Sequence, residues 1–288
     1  MSIRTIWGAA TPNWPARLSR RFRLRYSTLD YTVHLDDARR IAYLETPKVA
    51  CTSIKKYMMD QRVDGILVLP DRGAVHDRSR SPLRALSDLP HRDQQAVFGL
   101  GWRRVTFLRN PFTRFLSAYL DKLVQNDWER RRLLPHLGFA PDARPNPAEV
   151  LRHLTQIPDA DRDVHFMTQA GLTGAVGQLS FAWLGCFERF DRDFLSFKRT
   201  LYGDASGDTY AQFGQHHASD AGNKLHLYDD PKARSLLLDI YGGDFALFGY
   251  STRLEDALCA PVLTPDLHHQ RLQRFAPGLR VLSRFKTR

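Results

Sequence analysis

Short alternating or continuous apolar runs along this chain repeatedly give way to helical spacing. Residues 31–35 and 40–44 carry β-branched and aromatic runs on either side of Asp36-Asp37, which predicts two strands around a turn. A polar loop, 46–53, follows, and Ile54, Tyr57 and Met58 then recur as on one face of a helix. Residues 104–109 read as a buried strand. Asn110 as N-cap and Pro111 at the first helical position open a helix with Phe112, Phe115, Leu116, Tyr119, Leu120 and Leu123 on its apolar face. Residues 181–187 read as another strand, with a helix over 191–201; further helices start near Pro147 and run over 229–241. Residues 65–71 read as one more strand, 71–92 as a long surface loop and 128–149 as a connector. This repeated alternation predicts an α/β fold, a parallel sheet flanked by helices. It falls within residues 31–252, with a basic arm over 1–30 and a basic tail over 253–288.

Composition changes this picture only in its charge. The chain has 288 residues, and 42 Lys and Arg against 31 Asp and Glu leave a formal charge of +11. That excess favours an anionic partner without choosing among nucleotide, nucleic acid, acidic glycan or membrane surface. The basic residues are scattered and match no nucleic-acid module, so no nucleic-acid partner is expected. Cys51, Cys186 and Cys259 form no CxxC pair, which fits reduced thiols in a cytoplasmic protein and suggests no metal site. No run approaches the roughly 18 apolar residues that span a bilayer, so no transmembrane segment is expected.

Two strand-loop-helix units carry the candidate chemistry. The loop at 46–53 offers Lys48, Thr52 and Ser53 just before a helix N-terminus, where amides and helix dipole favour an anion. It lacks the glycine-rich spacing of a phosphate-binding P-loop. The second unit offers Arg109 at a strand end and Ser117 in the second turn of the next helix; Arg114 between them reads as either a ligand or a solvent-facing residue. Open parallel sheets bind ligands beyond the carboxyl ends of their strands, so both loops face one edge.

The residues of these units also carry a resemblance. Residues 46–55, TPKVACTSIK, resemble the PKVACTxxK loop of the carbohydrate sulfotransferases, the group that includes chondroitin and dermatan 4-sulfotransferases. Residues 109–122, RNPFTRFLSAYLDK, resemble that family's RDPFxRLxSAYxxK segment. His165-Phe166-Met167-Thr168-Gln169 is similar to its HWxPQ stretch, Gly185-Cys186-Phe187-Glu188 to its GKxE strand end, and residues 244–250 to its DFxLFGY. The order is the family's. Here Ser53-Ile54 stand for the usual Asn-Trp, Asn110 for Asp and Phe166 for Trp.

The resemblance implies a P-loop-like sulfotransferase fold and a donor, 3′-phosphoadenosine-5′-phosphosulfate (PAPS). Sulfuryl transfer to a hydroxyl of a carbohydrate or glycolipid would leave adenosine 3′,5′-bisphosphate, with no metal required. It implies that Lys48, Val49, Ala50, Cys51, Thr52 and Ser53 hold the 5′-phosphosulfate, Lys48 at the bridging oxygen. Arg109 and Ser117 would hold the 3′-phosphate. The acceptor proton needs a base, and His165 is the choice. His76, His91, His216, His217 and Glu188 are its rivals. Two other classes stay open at this stage. A phosphotransferase would use residues 66–71 as a magnesium-binding strand and Asp; a basic nucleic-acid-binding protein would use the charge alone.

Overall fold

The computed structural model describes residues 13–71, 73–204 and 220–282. His216 and His217 lie outside them. Among the described residues four strands form one sheet in the spatial order β1 (Val33–Asp36), β2 (Ile41–Leu44), β3 (Arg103–Leu108), β4 (Trp183–Cys186). β2, β3 and β4 run parallel, as expected, while β1 is antiparallel to β2. The four residues between β1 and β2 allow a hairpin and not a crossover. Among the described residues the helices are α1 (Trp14–Phe22), α2 (Tyr26–Thr32), α3 (Cys51–Arg62), α4 (His91–Ala96), α5 (Pro111–Tyr119), α6 (Asp127–Leu133), α7 (Pro147–Leu154), α8 (Gln169–Leu172), α9 (Phe190–Tyr202), α10 (Pro231–Phe248) and α11 (Pro265–Leu282).

The period-2 pattern of the strands sorts the core onto two faces. Ile41, Tyr43, Val105, Phe107 and Trp183 point to one side, where Tyr57 and Met58 of α3 and Phe194 and Phe197 of α9 cover them. Ala42, Leu44, Leu108, Leu184 and Cys186 point to the other, under Leu116 of α5, Leu151 of α7 and Phe245 of α10. Chain on both sides of 31–252 joins this second core. Within the basic arm expected over 1–30, residues 17–22 lie in α1, and Leu18, Phe22 and Leu24 are buried. In the basic tail, Leu263, His268 and Leu272 are buried.

Residues 66–69 do not form the expected strand, and Ile66 and Val68 are 83% and 88% exposed. The chain turns at left-handed Asp64, and the Asp60 carboxylate takes the Leu67 amide at 2.7 Å in place of a ladder partner. The region 71–92 is fastened down by two short 3₁₀ turns and a bridge between Leu35 and Arg84, with Leu83, Ala85 and Leu86 buried. The helix expected over 229–241 continues to Phe248, where Gly249 at φ 76° ends it. Among the described residues no helix is long and apolar enough to cross a membrane.

Gly185 sits where no side chain fits. A Cβ there would overlap the Trp183 ring and come within 2.7 Å of Phe107. Gly185→Ala is expected to destabilise the fold by about 1–3 kcal/mol through overpacking. The check is the urea midpoint of unfolding; an unchanged midpoint would show that the two rings yield freely.

Candidate active site

The loops that leave β2, β3 and β4 meet at one edge of the sheet. In the first, Lys48 and Ala50 hold positive φ values of 71° and 53°, an unfavourable conformation for side-chain-bearing residues. Three bonds hold it there. Thr46 Oγ1 donates to the Phe107 carbonyl at 2.5 Å, Arg114 Nε to Pro47 at 3.0 Å and Arg109 Nη1 to Lys48 at 3.1 Å. α3 then begins at Ala50 with no side-chain cap, which leaves its first amides open to an anion.

Arg114 is fully buried, not solvent-facing. Its guanidinium binds the carbonyls of Pro47, Met167 (2.7 Å) and Val164 (3.4 Å), and so joins the first loop to the segment that flanks His165. The remaining motif segments interlock behind it. The Gln169 carboxamide takes both the amide and the carbonyl of Arg109, at 2.9 and 2.8 Å. Asp244 accepts the amides of Gln169 and Ala170, and burial pushes its carboxyl up to about 6. Glu188, a candidate base, accepts from the Asn110 amide at 2.6 Å and the Tyr250 hydroxyl at 3.0 Å. Both its oxygens are thus engaged, one joining the β3 and β4 loops and the other the segment after α10, and burial raises its pKa.

Arg109 is buried over the Phe187 ring at 4.1 Å, with Nε on Thr113 Oγ1 at 3.1 Å. Burial lowers its pKa to about 10, so it remains a cation at neutral pH. Ser117 is also buried, on α5.

Lys48 Nζ pairs with Asp121 at 3.1 Å. Asp121 and Lys122 lie in a π-helical turn, Leu120–Gln125, that continues α5. From there ion pairs run on: Lys122 with Asp121 and Glu129, Glu129 with Arg132, Arg132 with Asp163 at 3.3 Å. Asp163 ends the row on His165 Nδ1 at 2.6 Å. Burial lowers the Lys48 pKa, although Asp121 opposes it. Burial pushes Asp163 up, but the His165 bond outweighs it and the carboxyl stays well below its ordinary range.

A second histidine stands at the first turn of α3. Glu45, at the end of β2, receives His34 Nε2 at 2.6 Å and Lys55 Nζ at 3.0 Å. Lys55 also reaches His76 Nδ1 at 2.8 Å, and His76 Nε2 lies 3.1 Å from Thr52 Oγ1. Burial pushes Glu45 up, yet Lys55 and His34 outweigh it and hold the carboxylate charged. Burial and the adjoining Glu45 carboxylate raise the Cys51 thiol to about 12, so it is no nucleophile. Glu45, Cys51 and His76 have donor atoms within 4.8 Å of one another, a grouping that their sequence spacing did not suggest. The Lys55 ammonium is the cation that two of them hold.

The structure thus brings Lys48, Thr52, Ser53 and Arg109 to one sheet edge and ties His165 to it through Arg114. His91 lies exposed on α4. Asp71, the metal-binding candidate of the phosphotransferase reading, accepts the Ala74 amide and follows no strand. Sequence reasoning missed Asp121 and Asp163, although each stands one or two positions from a residue already singled out. A cavity of about 390 Å³ lies by the start of α5, lined by Phe112, Arg234, Thr252 and Arg253, and not over Lys48.

A cationic loop running into an uncapped helix, stapled to a second cationic strand end, gives this α/β protein a sheet edge whose chemistry suits an anion. Comparison with known proteins supplies the particular family: the model of the sulfotransferase family matches residues 31–251, and the chain belongs to that family. Carbohydrate sulfotransferase 14 of Danio rerio is 25% identical over 263 residues, 86% of this chain and 70% of that protein. Carbohydrate sulfotransferase 10 of Xenopus laevis is 28% identical over 109 residues, 36% of this chain and 30% of that protein. The Homo sapiens counterpart is 30% identical over 105 residues, 34% of this chain and 29% of that protein. The chain therefore spans under a third of the carbohydrate sulfotransferase 10 relatives. No solved structure matches significantly.

Arg114→Met keeps the apolar stem and strips three carbonyls of their donor. It is expected to cost about 3 kcal/mol or more, each unsatisfied buried group costing about 1–3 kcal/mol. Arg114→Lys should recover only part, because one ammonium cannot reproduce the guanidinium's fan of donors. Denaturant unfolding of both variants is the check.

Proposed function

We propose that this chain takes a sulfuryl group from PAPS and transfers it to a hydroxyl of a carbohydrate or glycolipid, leaving adenosine 3′,5′-bisphosphate. The observation that carries the reading is the 3.1 Å bond from Arg109 to the Lys48 carbonyl, which locks two anion-facing strand ends into one site. Two separated anionic groups on one ligand suit that spacing. In a P-loop-like arrangement, the loop from Lys48 to Ser53 takes the 5′-phosphosulfate on its amides and hydroxyls, and Arg109 with Ser117 takes the 3′-phosphate. The carbohydrate acceptor rests on the names of the relatives.

The chemistry is an in-line displacement. The acceptor oxygen bonds to sulfur while the bond from sulfur to the bridging oxygen breaks, and the electron pair stays on that oxygen. Lys48, released from Asp121, neutralises the charge that develops there. The acceptor proton goes to Nε2 of His165. Asp163 supports this choice, because a carboxylate only accepts: the proton of a neutral His165 ring then sits on Nδ1, and the lone pair on Nε2. Asp163 would also stabilise the imidazolium formed.

The donor assignment is tested by nucleotide binding. Arg109→Ala should weaken adenosine 3′,5′-bisphosphate by about 1.5–3 kcal/mol, as for a lost charge-assisted bond. Adenosine 5′-phosphate should be weakened far less, and equal losses for both would move the 3′-phosphate elsewhere. The catalytic assignment is tested by rates with labelled PAPS and a glycan panel. Lys48→Ala should slow transfer to every acceptor. His165→Ala should lower turnover by about 10²–10⁴-fold with nucleotide binding nearly intact; near-normal turnover would make His165 structural.

A further inference from the structure

The hydrogen bonds around His76 have a fixed direction. A lysine ammonium has three donors and no acceptor, and Lys55 is paired with Glu45 at 3.0 Å. Lys55 Nζ at 2.8 Å from His76 Nδ1 must therefore donate, so Nδ1 carries the ring's lone pair. A proton on Nδ1 would face the ammonium head-on. The proton of the neutral ring is then on Nε2, and Nε2 donates to Thr52 Oγ1 at 3.1 Å. Thr52 is in the first turn of α3, beside the uncapped amides, and the proton of its own hydroxyl is left for a further acceptor.

We propose that His76 is a positioning residue for the donor: held by Lys55, it donates to Thr52 and so aims the Thr52 hydroxyl proton at the 5′-phosphosulfate. This rests on the donor loop assigned above. It also removes His76 from the candidate bases, since its lone pair is taken and its other nitrogen already carries a proton. Desolvation by the surrounding chain and the Lys55 ammonium push its pKa down to about 4, with Glu45 opposing and His34 and Lys122 adding, although part of the residue is exposed to solvent.

Three variants test the direction of the chain of bonds. His76→Phe should raise the KM for PAPS about ten- to hundredfold, the worth of one hydrogen bond to a charged group, and slow turnover much less. His76→Gln should restore most of the loss, because a carboxamide can accept from Lys55 with its oxygen and donate to Thr52 with its nitrogen. Thr52→Val should match His76→Phe, and the double variant should be no worse than either. Turnover slowed about a hundredfold or more in His76→Phe, with KM unchanged, would overturn the proposal and restore His76 as a base. Failure of Gln to rescue, or additive losses, would also overturn it. Nitrogen NMR of the donor-free full chain gives a readout apart from turnover: the Nε2–H tautomer at neutral pH supports the proposal, and Nδ1–H or an imidazolium sinks it. If the unaltered chain neither binds adenosine 3′,5′-bisphosphate nor turns over PAPS, the functional reading falls and the donor role of His76 falls with it. If the unaltered chain is active and His76→Phe loses donor affinity while Thr52→Val does not, the functional reading stands and the positioning role of His76 falls.

Discussion

One buried guanidinium sets the relation between the parts of this site. Arg114 is a charge removed from water, and such a group is tolerated only when hydrogen bonds surround it. It finds them on backbone carbonyls from two distant segments, Pro47 on one side and Val164 and Met167 on the other. That choice has a structural consequence, because carbonyls bound to a single planar group cannot drift apart. The left-handed turn at Lys48 is strained, and it persists because Arg114, Arg109 and Thr46 each hold a point of the loop. A looser loop would relax the strain and carry Lys48 away from the α3 amides.

The electrostatics of the donor-free site follow from the same packing. Lys48, Asp121, Lys122, Glu129, Arg132 and Asp163 alternate in sign along one row of ion pairs. Each cation of that row is neutralised at rest by a carboxylate, whereas Arg109 and Arg114 are buried on carbonyls and a hydroxyl. Under the proposed function, an anionic donor would compete with Asp121 for Lys48. Asp121 is about one third exposed, so water can take over its solvation when Lys48 leaves. A fully buried partner could not be displaced so cheaply.

The strands and main helices were legible because local signals and tertiary context agreed. Asn110 and Pro111 begin α5 as their chemistry demands, and the alternation in β2 and β3 matches a sheet covered on both faces. The signal failed where a side chain from elsewhere overrode the pattern. Residues 66–69 are as apolar as a strand, yet the Asp60 carboxylate took the Leu67 amide and no neighbouring strand paired with them. Of the site, Lys48 and Arg109 could be found because a cation at a strand end has a local meaning. Arg114 could not, since nothing in the sequence says that a helical arginine faces three carbonyls rather than water. Asp121 and Asp163 matter only through partners 73 and 2 residues away, and neither carries a motif of its own.

The two histidines at this sheet edge show how a partner decides a role that residue type leaves open. Both rings have one nitrogen held by a charged side chain within 2.8 Å. For His165 the partner is a carboxylate, which can only accept. The proton is drawn to Nδ1, and Nε2 is left basic. For His76 the partner is an ammonium, which can only donate, so the lone pair is spent on Nδ1 and Nε2 becomes a donor. For His76 the nearby charge acts in the same sense, since the Lys55 ammonium opposes protonation of the ring. The sign of the neighbouring charge thereby leaves the lone pair on opposite nitrogens of two identical side chains. Choosing a base by residue type would treat them as equivalent; the direction of their hydrogen bonds does not.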